Sequence, residues 1–335
     1  MFLDEISDVR NWQKAIKSLV DSGELANSCV FLTGSHTLDV KYGLERLPGR
    51  IGKHGKDYLL LPLTFREFID MVNPDISKKI GRIDTLSRES INKELKTTIP
   101  FERDLKILFN KYLLTGGFPL TINEFISSGQ IPEYVYDLYS NWIIGDIVKW
   151  RKQERILKQV MRATILKQGT SISWDSLAKE AEIKSHKTIS SYVEDLENMF
   201  VLSILYFMDL NKKIPVYGKN KKIYFYDPFI YHVFSRLTYF KTEVTPSLIE
   251  ATCVTHLKRF LQTDSVYYWK NKREVDVVLK TNSLLAVEIK YQGRITREDW
   301  MPLFHFKKGI LLTKEHLEDK GEHLAIPIHL FLSMV

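Results

Sequence analysis

The stretch REVDVVLKTNSLLAVEIKY, residues 273–291, constrains this chain more than any other. Two β-rich runs, EVDVVLK and LLAVEIKY, flank a short polar turn, the pattern of a hairpin in a largely buried sheet. Residues two apart on a strand share a face, so Glu288 and Lys290 project together. A hairpin of this length brings Asp276, twelve positions before Glu288, beside them. Two carboxylates on one face attract a hard cation such as Mg²⁺, which takes oxygen ligands and keeps several waters. The lysine can then orient or activate a water, or stabilise charge at a phosphate. Glu274 alternates onto the face of Asp276 and is either a further ligand or a bystander. The competing reading is a half-buried hairpin with charges on its wet side, because E-x-K recurs constantly by chance.

The flanking segments read as α/β. A helix, PSLIEATCVTHLKRFLQ, precedes the strand SVYYWK and offers Glu250 as an additional acid. A helix near TREDWMPLFHF and two strands, GILLTK and IPIHLFL, follow the hairpin. Upstream, from about residue 154, come an amphipathic helix (RILKQVMRATILKQG), a short one (WDSLAKEAEI) and a longer one capped by serine (SHKTISSYVEDLENMFVL). Two apolar strands, LSILYFM and KKIYFYD, then flank a lysine-rich loop. Three helices and a two-stranded wing are the winged form of the helix-turn-helix. Its recognition helix presents His186, Lys187 and Ser191 near the N-terminus, where major-groove contacts are usually made. The wing supplies Lys212, Lys213, Lys219, Lys221 and Lys222 for phosphates, and such contacts make binding salt-dependent. DNA is the expected partner. The same fold can instead simply connect domains, and Glu194, Asp195 and Glu197 on its helix repel DNA.

A net charge of +7 over 335 residues biases the chain mildly toward polyanions. No apolar run approaches the ~18 residues of a membrane span, and no secretory signal pattern is seen, so a cytoplasmic protein with no membrane partner is expected. Cys29 and Cys253 lie far apart in apolar segments, which fits buried thiols in a reducing compartment and no zinc site.

The first sixty residues carry a second constellation. A strand ends in FLDE, a helix follows with Val9, Trp12, Ile16, Leu19 and Val20 at helical spacing, and SCVFLTGS is a second buried strand. A P-loop ATPase needs a strand-end aspartate for Mg²⁺ and a second carboxylate to polarise water, and Asp4 and Glu5 fit those roles. Thr33 and Ser35 sit where a polar sensor feels the γ-phosphate, and Arg50 in LPGR can supply a cation in trans. Beyond them, LLLPLTFREFIDMV opens a helical stretch to about residue 150, broken at LLTGGFPL, a candidate domain elbow.

In that order, FLDEISDVRNW, VFLTGS, RLPGRIG, LPLTFREF and YLLTGGFP resemble an archaeal and bacterial AAA-type ATPase family with a winged helix and a C-terminal domain. The resemblance implies Asp4 and Glu5 as Walker B acids, Ser35 as sensor 1, Arg50 as an arginine finger, ATP as ligand, and oligomers. It departs in one respect: the phosphate loop G-x-x-x-x-G-K-[ST] is absent, since none of the Gly-Lys pairs at 52, 55 and 218 fits it. The missing strand, loop and helix are expected upstream of Met1, and this chain by itself is expected not to bind ATP. The C-terminal D…ExK pattern resembles the PD-(D/E)XK phosphodiesterase core, which implies Asp276, Glu288 and Lys290 as catalytic residues and Asp276, Glu288 and Glu250 as Mg²⁺ ligands. The expected architecture is a multidomain α/β and α chain. It comprises a partial P-loop AAA core (1–62), a helical lid (63–153), a winged helix (154–226) and a nuclease-like α/β domain (227–335).

Overall fold

The computed structural model describes residues 1–6, 9–34, 58–240, 244–261 and 265–335. Ser35 and Arg50, the expected sensor and arginine finger, lie outside them. Two compact units are present: Met1–Leu61 with Glu194–Phe200, and Pro62–Val193 with Val201–Val335. Among the described residues, no helix is long and apolar enough to cross a membrane.

In the first unit, β1 (Phe2–Leu3) and β2 (Phe31–Leu32) pair in parallel, and α1 (Trp12–Asp21) connects them. Parallel neighbours require such a crossover. Trp12 and Ile16, one helical turn apart, bury with Ile6 against Leu3 and Leu32. Val9 and Val20, expected on the same face, are exposed, and so is Cys29.

The second unit begins with helices: α2 (Phe65–Val72), α3 (Pro74–Ser77), α4 (Arg88–Thr98), α5 (Glu102–Thr115), α6 (Pro119–Ser128) and α7 (Glu133–Lys149). Local sequence starts them. Thr64 and Glu67 form a reciprocal capping box on α2, and Ser87 caps α4 through the Ser90 N–H. Next come α8 (Glu154–Lys167), α9 (Trp174–Glu180), α10 (His186–Asn198, of which residues 186–193 belong to this unit), β3 (Leu202–Asp209), β4 (Ile214–Phe225), α11 (Pro228–Leu237) and α12 (Pro246–Leu261). The chain closes with β5 (Val266–Lys270), β6 (Glu274–Lys280), β7 (Leu284–Lys290), α13 (Arg297–Trp300), β8 (Lys308–Thr313), β9 (Glu318–Lys320), β10 (His323–Pro327) and α14 (Ile328–Met334).

One mixed sheet of eight strands, ordered β4-β3-β5-β6-β7-β8-β10-β9, organises this unit. One core joins Phe65, Phe109 and Tyr112 of the helices to Val254 of α12, Val277 and Val287 of the sheet, and Phe331 of α14. A second core packs Trp300, Leu303 and Phe306 on Val275, Val278 and Ala286. The residues expected as lid and nuclease-like domain therefore share a hydrophobic interior.

Three expectations change here. The hairpin β3–β4, expected as a free wing, continues into the C-terminal sheet, where β3 meets β5 in parallel at Phe207 and Tyr268. The boundary drawn at 226/227 therefore falls within one compact unit. Much of the lysine-rich loop is strand: β4 pairs with β3 on both sides of a register shift at Tyr206/Phe207, and Lys221 and Lys222 lie in its paired part. IPIHLFL, expected as a strand, contains the last two residues of β10 and most of the helix α14; Pro327 ends the strand, and a run buried on every side suits a helix equally well.

The Gly-Gly elbow is set by close approach. The Gly117 N–H donates to Asp227, which caps α11 through the Phe229 N–H at 2.7 Å. A Cβ on Gly117 would sit 2.0 Å from the Leu63 carbonyl oxygen, and one on Gly116, whose φ is +59°, would sit 1.9 Å from the Asp227 carboxylate. Only glycine fits both places.

Candidate functional site

The register of β6 and β7 pairs Val277 with Val287, which sets Asp276 across from Glu288. On its other side β6 is irregular: Tyr267 pairs with Val278 and Trp269 with Val275, so Asp276 and Val277 together oppose Tyr268. Such a bulge re-aims a side chain, here at the rim of the charged cluster. The Asp276 carboxylate accepts the Ile289 N–H at 3.0 Å, and Glu288 accepts the Asp276 N–H at 3.3 Å. Lys290 shares the face of Glu288, its Nζ 2.6 Å from Oε1. The structure thus brings Asp276, Glu288 and Lys290 together, and α12 adds Glu250.

A residue that sequence reasoning assigned elsewhere sits at the centre. Lys222 on β4 is 1% exposed, and its Nζ lies 3.0 Å from Asp276, 3.1 Å from Glu250 and 2.7 Å from Glu274. It was expected on an exposed wing touching phosphate. Strand alternation sends Lys222 and Tyr224 to one side, where the Tyr224 hydroxyl donates to Glu250 at 2.7 Å. Lys221 points the other way and is also buried, its Nζ 4.2 Å from the centre of the Trp174 ring. The sequence held one signal for this, KKIYFYD, in which a lysine shares the period-2 face of a buried tyrosine.

Electrostatics follow from burial. Desolvation raises the Glu288 carboxyl to about 8, and the neighbouring Asp276 charge adds to the rise. Burial and Asp276 likewise raise Glu250 to about 7. Asp276 is also penalised by burial, yet the charges of Lys222 and Lys290 and the Ile289 N–H hold it below its ordinary 3.8. Burial opposes the charge on Lys222, and the surrounding acids outweigh it, so its ammonium is held well above 10.5. Burial and the Asp276 charge thus push Glu288 toward its neutral form, and the Lys290 ammonium at 2.6 Å opposes them.

These residues do not fit the expected Mg²⁺ as arranged. The acids fall into two ammonium-centred groups, one around Lys222 and one around Lys290, with Asp276 shared between them. Among the described residues no three acids, histidines or cysteines converge in metal-holding geometry. A notch of ≈ 10 Å³ at Thr64, Tyr112, Asp227, His256 and Arg259 has room for about one water and is lined by none of these residues. His256 is structural: it accepts the Phe65 N–H at 2.8 Å, and burial lowers it to about 4.

The other expected contacts divide. Lys212, Lys213 and Lys219 are exposed, the first two in a turn ordered by Asp209, which accepts the N–H groups of Asn211 and Lys212. His186 and Lys187 are exposed at the start of α10, with His186 3.2 Å from Asp175. Ser191, expected to face outward, is held by Lys152, whose Nζ donates to its carbonyl and hydroxyl at 2.8 and 2.7 Å. In the first unit, Asp4 accepts the Thr33 hydroxyl from the neighbouring strand, and Glu5 follows with φ +47°. The phosphate-loop motif G-x-x-x-x-G-K-[ST] does not occur in residues 1–335.

Comparison with known proteins supports the N-terminal part of this picture. Residues 1–69 match the AAA domain, and two domains of unknown function match further on, DUF8612 over 106–241 and DUF4143 over 247–331. These matches support an AAA-type ATPase-like family. Lys222 lies in the first unknown domain; Glu250, Asp276, Glu288 and Lys290 lie in the second. Two uncharacterized proteins of Methanocaldococcus jannaschii are similar. MJ1544 is 25% identical over 89% of this chain and 62% of its own length. MJ1637 is 24% identical over all of this chain and 70% of its own length. No solved structure matches.

Proposed function

We propose that this chain is the DNA-associating part of an AAA-type ATPase-like protein. In this reading, residues 154–226 act as a winged helix that contacts backbone phosphates. The C-terminal module is a PD-(D/E)XK-like fold placing charged groups beside the nucleic acid. The observation that carries it is the β6–β7 register, which sets Asp276 opposite Glu288 with Lys290 alongside and Glu250 on the preceding helix. The order helix, three strands, helix, strand supports the same core. The winged-helix reading is supported by three helices followed by a hairpin, and by a single antiparallel bridge between Ile172 and Lys221 that ties the helices to it. Exposed Lys187, Lys212, Lys213 and Lys219 supply the positive charge.

The proposed role is binding, and cleavage forms no part of it. Fluorescence anisotropy with duplex and single-stranded DNA tests it across a salt series. The logarithm of affinity should fall linearly with the logarithm of salt, by about 0.9 per phosphate neutralised. The double variant Lys212→Ala/Lys213→Ala should reduce that slope by about 2 with its fold intact. Affinity that is absent, or indifferent to salt, would refute the reading.

A further inference from the structure

We propose that the Lys222 ammonium takes the place of the divalent cation in this carboxylate site. The module then keeps its acids together without a resident metal. The inference rests on the nuclease-like reading of the β6–β7 site and says how that site is held.

Four observations converge on it. First, an ammonium has three N–H donors and no acceptor, and Lys222 Nζ meets three carboxylates, those of Glu250, Glu274 and Asp276. It hydrogen-bonds Glu250 and Asp276 and forms an ion pair with Glu274. Second, the spacing suits nitrogen: the oxygens stand 2.7–3.1 Å from Nζ, whereas Mg²⁺ demands about 2.0–2.1 Å and Ca²⁺ about 2.3–2.6 Å.

Third, most of the other acid oxygens are engaged. The second oxygen of Asp276 accepts the Ile289 N–H, that of Glu274 pairs with Lys270, and Glu288 is divided between Lys290 and the Asp276 N–H, while Glu250 Oε1 accepts the Tyr224 hydroxyl as well as Lys222. Fourth, Lys222 is fixed by backbone. It lies in the paired part of β4, opposite Leu205 of β3, and its neighbour Lys221 exchanges backbone hydrogen bonds with Ile172. A metal entering here must expel a buried ammonium from the three carboxylates that neutralise it. Leaving such a charge unpaired is strongly unfavourable.

The test is a MnCl₂ titration of the full chain, read by electron paramagnetic resonance of free Mn²⁺ and by thermal melting. Wild-type protein should show no Asp276-dependent Mn²⁺ binding and no rise in Tm at millimolar metal. Lys222→Gln empties the cage while leaving the acids. Its Tm should rise with Mn²⁺, with an apparent affinity at least about tenfold above wild type, and adding Asp276→Asn should abolish the gain. Lys222→Arg keeps a cation in place and should stay insensitive to Mn²⁺.

Stoichiometric Mn²⁺ binding by wild type or by Lys222→Arg that Asp276→Asn removes would overturn the proposal. A folded Lys222→Gln that gains no Mn²⁺ response would overturn it too. If Lys222→Gln does not fold, the wild-type and Lys222→Arg titrations decide. DNA affinity is scored separately, so loss of the functional reading leaves the metal result standing, and the reverse.

Discussion

Glu288→Gln isolates the electrostatics of the site. Glu288 is almost fully buried, and burial with the adjacent Asp276 charge raises its carboxyl from 4.5 to about 8. A carboxyl raised on folding contributes stability that is complete below its unfolded value and is lost as pH climbs through its folded value. For Glu288 that window runs from 4.5 to about 8. The full difference corresponds to on the order of 5 kcal/mol against the charged form. Between pH 6 and pH 9 this one group should lower wild-type stability by roughly 2–3 kcal/mol.

Glutamine has the shape of the neutral acid, can still accept from Lys290, and does not titrate. Its fixed cost is the same at both pH values, so the change in the difference between variant and wild type reports Glu288 alone. Glu250 and Asp227, both raised by burial to about 7, titrate in both proteins and largely cancel. Urea unfolding followed by circular dichroism at pH 6 and pH 9 should show the variant gaining roughly 2–3 kcal/mol on wild type. A difference that stays constant, or moves against the variant, would mean that Glu288 is already ionised in the folded protein at pH 6. The reasoning about burial would then be wrong.

Two further predictions concern packing and hydrogen bonding. Gly117→Ala should destabilise the second unit by about 3 kcal/mol or more in urea unfolding, because the new methyl group lies 2.0 Å from a backbone oxygen that cannot step aside. An effect under about 0.5 kcal/mol would contradict the close approach. Tyr224→Phe removes the hydroxyl donated to Glu250, should cost about 1–2 kcal/mol, and should cost less below pH 6, where Glu250 is protonated. Equal cost at pH 5 and pH 8 would show that this hydrogen bond does not sense the charge on Glu250.

Much of the local organisation could be read along the chain. The periodicity around Trp12 and Ile16, the serine cap ahead of His186, the Gly-Gly-Pro break and the hairpin at residues 273–291 all appear where the patterns place them. These signals act over a few residues, so they survive without knowledge of the fold. Asp276, Glu288 and Lys290 came together for the same reason: alternation and a short turn determine which side chains share a hairpin face. The buried run at residues 326–332 was misread as a strand, because an apolar stretch covered on all sides carries no period that separates strand from helix.

By itself, then, the sequence determined that a D…ExK hairpin and a strand ending in Asp4 and Glu5 exist. Tertiary structure alone decided what sits among the acids. Lys222 is 54 positions from Asp276 and 28 from Glu250. Its place depends on the hairpin β3–β4 joining β5 through Phe207 and Tyr268 and on the register shift inside β4. A lysine in a basic run looks solvated from its neighbours in sequence. Its burial is set by pairing across long loops, which local patterning does not encode.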